Sequence, residues 1–228
     1  NLDSITSLRK MFSNATSFNS IINNWDVSNV TDLSEMFAGA TAFNQALGNW
    51  DVSSVTNAVG LFRDASSFNQ ALNNWDVSSI SDMRDVFSRA ASFNQDVGNW
   101  DVSSVLDFRG LFSEASNFNQ NLGTWHLSSV QIMTDMLTNT NLSVENYDSS
   151  LIGWEGKTHP SNITLGALGL EYCLGKAARD SLIADGWSFF GDSLNCNPGD
   201  FVTTWKTDNI GNIGNDSTIF IQIDSNYT

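Results

Sequence analysis

The chain is short of positive charge: 10 Lys and Arg stand against 25 Asp and Glu, a formal net charge of −15 over 228 residues. A field of that sign repels phosphate backbones and anionic lipid headgroups, so nucleic acid and membrane surfaces are not expected partners. No run approaches the roughly 18 apolar residues of a membrane span, and no charged–apolar–small leader opens the sequence. Histidine is confined to His126 and His159, and cysteine to Cys173 and Cys196. Ligand spacings for zinc are therefore missing. Two cysteines in so acidic a chain point to a structural disulfide rather than a metal site. There is no Gly-rich phosphate loop, no Ser/His/Asp order that stands out and no cysteine beside a base. The chain is expected not to be an enzyme, and an Asn- and Ser-rich acidic surface suits an extracellular or cell-surface address.

What is there is a repeat. Trp25, Trp50, Trp75, Trp100 and Trp125 recur every 25 residues. Phe12, Phe37, Phe62, Phe87 and Phe112 do the same, as do Phe18, Phe43, Phe68, Phe93 and Phe118. Further columns hold Val30, Val55, Ile80, Val105 and Val130, and Ala15, Ala40, Ala65, Ala90 and Ala115. Self-similarity at this period marks stacked supersecondary units that cannot bury their apolar sides alone.

Within one unit the apolar period changes. In Leu47–Val52, Trp50 and Val52 alternate with Asn49 and Asp51, which predicts a half-buried strand. Val55, Ala58, Leu61, Phe62 and Ala65 then recur at three and four, which predicts a short helix, with Ser and Asp near its start as capping residues. Gly60 and Gly110 fall inside that helix and should weaken it. The fold class expected is α/β: a solenoid of short parallel strands and short helices, with an α/β C-terminal cap. Its crossovers should be right-handed. The Asn column Asn19, Asn44, Asn69, Asn94 and Asn119 is expected to bond the backbone of the neighbouring unit, since buried loop groups need partners.

The segments Met36-Phe37-Ala38-Gly39-Ala40-Thr41-Ala42-Phe43-Asn44-Gln45 and Asn49-Trp50-Asp51-Val52-Ser53-Ser54-Val55 resemble the BspA-type leucine-rich-repeat surface proteins, known also through mycoplasma-type surface lipoprotein repeats. The likeness covers about residues 1–197. It implies a leucine-rich-repeat-like solenoid on secreted or surface-anchored proteins, commonly with adhesion or binding roles, and no common ligand.

Three regions are expected: a repeat solenoid over 1–140, a disulfide-bearing C-terminal cap over 141–197, and a linker with the start of a further β-rich module over 198–228. Leu2 aligns with Val27, so further repeats or a cap are expected ahead of it. In the cap, helices are predicted from Ser143 to Trp154 and from Lys176 to Asp185, the second with Ala178, Leu182 and Ile183 inward and Gly186 as its stop. Cys173 and Cys196 would staple this region. The segments Phe201–Thr207 and Ser217–Ile223 read as strands.

The candidate ligand face is the strand face bearing Asn24, Asn49, Asn74 and Asn99 with Asp26, Asp51, Asp76 and Asp101, ended by His126. Two readings of the Asp column stand. Each Asp can accept bonds from the Ser two residues on, a repeated Asx-turn. Alternatively the strip holds calcium or recognises a cationic or hydroxyl-rich ligand, although one Asp per unit falls short of the six to eight oxygens calcium takes. The Trp column is either core or an outward stacking platform; sharing a face with Val places it in the core. No cofactor is expected beyond that calcium. The partner expected is an extracellular protein or a glycan, and the runner-up role is a spacer stalk that displays other domains.

Overall fold

A computed structural model describes residues 4–196. The strand segments expected at 201–207 and 217–223 lie outside the described residues. Among the described residues the chain is a mixture of small helices, very short strands and turns, with no closed barrel.

Successive 25-residue units lie in register on one another. Parallel single-residue bridges join Ser7 to Asp32, Asp32 to Asn57, Asn57 to Asp82, Asp82 to Asp107 and Asp107 to Ile132. The contacts sit at the positions expected to open a helix, and Leu47–Val52 is not a strand. Nor is there a helix in the repeats among the described residues. Residues 33–40 instead alternate two kinds of bond. The Leu33, Glu35, Phe37 and Gly39 amides donate to the Asn57, Val59, Leu61 and Arg63 carbonyls of the next unit. The Met36, Ala38 and Ala40 amides turn back to the Leu33, Glu35 and Phe37 carbonyls three residues earlier.

That alternation needs two left-handed residues per unit. They form two columns: Lys10, Glu35, Gly60, Asp85, Gly110 and Asp135, and, four positions on, Asn14, Gly39, Asp64, Arg89, Glu114 and Asn139, with φ from 55° to 71°. A helix cannot accommodate them. Gly60 and Gly110 are therefore not weak points in a helix. They occupy a backbone conformation that glycine adopts at no steric cost.

The interior is two columns of phenylalanine. Phe12, Phe37, Phe62, Phe87 and Phe112 stack with ring centroids 5.5–5.7 Å apart. Within each unit a second ring lies face to face on the first, at 3.8 Å for Phe112–Phe118 and 4.1 Å for Phe37–Phe43. Trp50, Trp75, Trp100 and Trp125 are buried beside them. Each indole N–H donates to a carbonyl of the preceding unit: Ile22 (3.1 Å), Leu47 (3.0 Å), Leu72 (3.1 Å) and Val97 (2.9 Å). The tryptophans are thus core, and their one polar atom is satisfied.

The Asn column does what the sequence predicts. The Asn44 Oδ1 accepts from the Asn69 amide (3.0 Å) and the Gln70 side chain (2.9 Å). The same pair of bonds recurs from Asn19, Asn69 and Asn94.

Helix α1, Val144–Glu155, ends the regular repeats, with the Ser143 hydroxyl accepting from the Asn146 amide at its start. It lies where the next unit would lie. Asn146 replaces the repeat glutamine as donor to Asn119 Oδ1 (2.9 Å), and the Trp154 indole donates to the Leu122 carbonyl (2.8 Å). The bridge ladder continues past it. Met133 pairs with Leu165 in β1, Thr164–Gly166, which pairs in parallel with β3, Ser188–Phe190. Strand β2, Glu171–Tyr172, pairs likewise with β4, Ser193–Leu194. Trp187 extends the indole series by donating to the Pro160 carbonyl (2.8 Å).

Helix α2, Lys176–Ala184, is enclosed by the Cys173–Cys196 disulfide, whose Cα atoms are 4.9 Å apart. Ala178 and Leu182 are buried, but Ile183 is 43% exposed, contrary to expectation. One residue past Leu182, it has rotated about a quarter turn off the buried stripe. Two buried carboxylates fix the region. Asp148 of α1 accepts the Cys173 and Leu174 amides (2.9 and 2.8 Å). Asp192 pairs with Arg179 through two bonds (2.7 and 2.8 Å) and accepts from the Tyr147 hydroxyl (3.0 Å).

The left-handed column gives a prediction whose sign separates the two conformations. In a helix, Gly110→Ala would stabilise by about 1 kcal/mol. In the observed backbone it should destabilise by at least about 1 kcal/mol. A methyl there would also collide with Asp85 Oδ1, whereas at Gly60 the nearest atom is 3.4 Å away. Urea denaturation should therefore rank Gly110→Ala below Gly60→Ala, with both below the parent chain.

Candidate ligand-binding face

The expected ligand residues do come together, although on turns rather than strands. Asn24, Asp26, Asn49, Asp51, Asn74, Asp76, Asn99, Asp101 and His126 are all exposed, on corresponding turns of successive units. Each Asp forms the Asx-turn: one oxygen, Oδ1, accepts both the amide and the hydroxyl of the serine two residues on. The distances are 3.1 and 2.7 Å for Asp26–Ser28, and 3.0 and 2.6 Å for Asp101–Ser103. Asp51–Ser53 and Asp76–Ser78 match them. The Oδ2 atoms of the four carboxylates accept no hydrogen bond among the described residues.

Those serine bonds favour the ionised form, and the carboxyls of Asp26, Asp76 and Asp101 are held below the usual Asp value because of them. Those three carboxyls therefore keep their charge to lower pH than a free Asp would. The asparagines are less uniform. Asn99 donates to the Asn73 carbonyl (2.7 Å), while Asn74 accepts from Asn73 (3.4 Å). Among the described residues no three His, Cys, Asp or Glu side chains are grouped to hold a metal.

A second polar face, which the sequence analysis missed, runs along the left-handed turns. Lys10 and Arg63 both reach Glu35 (3.4 and 3.1 Å). Arg89 forms two bonds to Asp64 of the preceding unit, the Nη2–Oδ2 bond at 3.0 Å. Arg84 grips Asp82 (2.7 Å) and lies 3.7 Å from Asp107, which Arg109 grips in turn (2.7 Å). Arg84, Arg89, Arg109, Asp85 and Asp135 line an open groove of about 340 Å³ over Gly110. The signal was present as opposite charges 25 residues apart, Lys10 with Glu35 and Asp64 with Arg89. A helical assignment directs attention to partners three and four residues away instead.

Asp85 is the exception in that groove. Its carboxylate accepts no hydrogen bond among the described residues, and burial pushes its pKa up against the pull of Arg63, Arg89, Arg84 and Arg109. A carboxyl whose folded pKa is raised binds its proton more tightly when folded. Its ionisation then costs stability at neutral pH, and that cost disappears as pH falls through the folded value. Asp85→Asn should accordingly raise the melting temperature at pH 7, with the gain shrinking towards pH 4. Melting curves of the two proteins across that range check it.

Comparison with known proteins locates the chain by its repeats. No curated protein and no solved structure matches it. The model of one family, described as Mycoplasma protein of unknown function, DUF285, matches residues 1–81 and again residues 47–154. The two matches overlap and together span the Phe, Trp and Asn columns, including Trp154 of α1. With 154 of its 228 residues so covered, the chain belongs to the DUF285 family of mycoplasma proteins.

Proposed function

We propose that the chain is a leucine-rich-repeat-like solenoid of the BspA type that acts as a non-catalytic binding module outside the cell or on its surface. It would attach to a glycan or protein ligand through the face carrying Asp26, Asp51, Asp76, Asp101 and His126 with Asn24, Asn49, Asn74 and Asn99. The observation that carries this reading is a choice of residue. An Asx-turn needs only one side-chain oxygen, and asparagine supplies it without charge. This protein does so elsewhere: Asn57 accepts the Val59 amide (3.1 Å) in the turn where Asp32 accepts the Ser34 amide (2.9 Å). Four successive aspartates in corresponding turns repel one another, and although the serine bonds favour the ionised form, asparagine would close the same turn without that repulsion. An outward row of free Oδ2 atoms fits a cationic group, a hydroxyl-rich ligand, or calcium bridged to one. The Cys173–Cys196 disulfide is in keeping with an oxidising compartment.

The alternative is a spacer stalk, favoured by the unbroken stacking of rings from Phe12 to Phe118. Two experiments separate the readings. Replacing Asp51, Asp76 and Asp101 together by Asn should abolish attachment on a glycan and matrix-protein array while the fold is retained, with at most a small drop in melting temperature as the charge-favouring serine bonds weaken. Unchanged attachment would place the site elsewhere. Deleting one 25-residue unit should weaken a binding face matched to its ligand, whereas a spacer would merely shorten. Repeating the array and the melt with calcium and with chelator tests the metal, which an identical result in both would remove.

A further inference from the structure

The leading face of the first unit differs from every junction behind it. Ile21 is 77% exposed, Met11 49% and Ile5 37%. Phe12, Phe18 and Trp25 are only partly buried, although the phenylalanines of the next four units are fully buried and their tryptophans nearly so. Polar groups are unmatched as well. At each later junction between regular units, three or four carbonyls receive amides from the unit before, as Asp32, Ser34, Met36 and Ala38 receive those of Leu8, Lys10, Phe12 and Asn14. The corresponding Ser7, Arg9, Met11 and Ser13 carbonyls receive none among the described residues. The Asn19 amide and the Trp25 indole N–H likewise have no acceptor there. In later units these two groups donate to an Asn Oδ1 and to a carbonyl such as Ile22 of the preceding unit.

We infer that this face is a docking surface for one further coil of the same repeat. The occupant is specified by complementarity. It must bring four amides on alternate residues, an Asn side-chain oxygen, a carbonyl aligned with the Trp25 indole, and two phenyl faces for Phe12 and Phe18. Only the trailing face of a repeat carries that set. The last regular repeat of a second copy cannot supply it, because its trailing face is covered: the Leu137 and Asn139 amides are taken by Gly166 and Leu168, and Asn119 Oδ1 by Ser143 and Asn146. Two leading faces set together would have to match a closely spaced carbonyl row with donors scattered from Asn19 to Trp25. The inference does not depend on what the acidic face binds.

The test is to fuse a copy of residues 51–75 carrying Trp75→Phe, in phase with residues 1–25, directly ahead of residue 1, so that the extension adds no indole of its own. A shuffled extension of the same composition is the control. The in-phase copy should raise the melting temperature by several degrees and shrink the fraction of tryptophan emission that acrylamide can quench. That second effect should be largely lost when Trp25→Phe is compared with and without the copy. Equal melting and quenching for the two extensions would overturn the inference. So would an unextended chain that dimerises with Trp25 shielded and returns to monomer on Ile21→Asp, since a second copy would then be the occupant.

Discussion

Everything in the repeats depends on one register, set by alternate amides of residues 8–14 and their equivalents donating to the next unit. Apolar burial supplies the larger energy, at about 1.5–3 kcal/mol for each enclosed Phe. But burial is nearly indifferent to register, because a stack slipped by a few residues would still cover rings. Hydrogen bonds are not indifferent. Each buried amide or carbonyl left without a partner costs about 1–3 kcal/mol, and one slip would strand three or four amides, an indole and an Asn side chain at a junction. The phenylalanine columns make the stack favourable; the polar atoms decide which stack it is. Gly39, Gly60 and Gly110, and the Asn and Asp residues in the same two columns, belong to that decision, because the left-handed turns aim alternate amides along the stack.

The closing region obeys the same constraint with a different sequence. Trp154 repeats the indole bond across 32 residues and Trp187 across 27, where the regular units use 28. The bridge ladder runs on from Met133 to Leu165 and then to Phe189. These two rungs keep the cross-section of the stack while α1, α2 and their loops add excursions beside it. The disulfide, Asp148 and the Arg179–Asp192 pair hold those excursions in place. Asp192 is 1% exposed at its side chain, so removing Arg179 would leave a buried carboxylate without its counter-ion. Burial, with Asp192 next to it, holds the Tyr147 hydroxyl well above its usual pKa, so it stays a donor.

How much of this the sequence disclosed follows from which interactions are local. The Trp, Phe and Asn columns were legible because each residue repeats its own chemistry every 25 positions. Helices α1 and α2 were legible within a residue or two from Ser143 as cap and from Gly156 and Gly186 as stops. The turns were not. Val55, Ala58, Leu61, Phe62 and Ala65 have the spacing of a helix because a run of three-residue turns also returns the chain to one side every three or four residues. The distinguishing signal was the Gly, Asn and Asp scattered through two columns four residues apart, which reads as noise unless left-handed backbone is sought. The ion pairs of Arg84, Arg89 and Arg109 were hidden for a related reason. Their partners are near only once the register is known.

That hidden face bears on the acidic one. Lys10, Arg63, Arg84, Arg89 and Arg109 are all engaged by carboxylates along the left-handed turns. No Lys or Arg pairs with Asp26, Asp51, Asp76 or Asp101 among the described residues. Charge within the repeats is therefore segregated: compensated on one face, uncompensated on the other. Exposed pairs of this kind contribute little stability, typically under about 1 kcal/mol each, so strength alone does not account for placing the cations there. Their consequence is to leave the Asp face without internal counter-ions. Its field then extends about a Debye length, roughly 8–10 Å, into solvent at physiological salt. A cationic or cation-carrying partner would meet that field before any contact forms, and would have no resident lysine or arginine to displace.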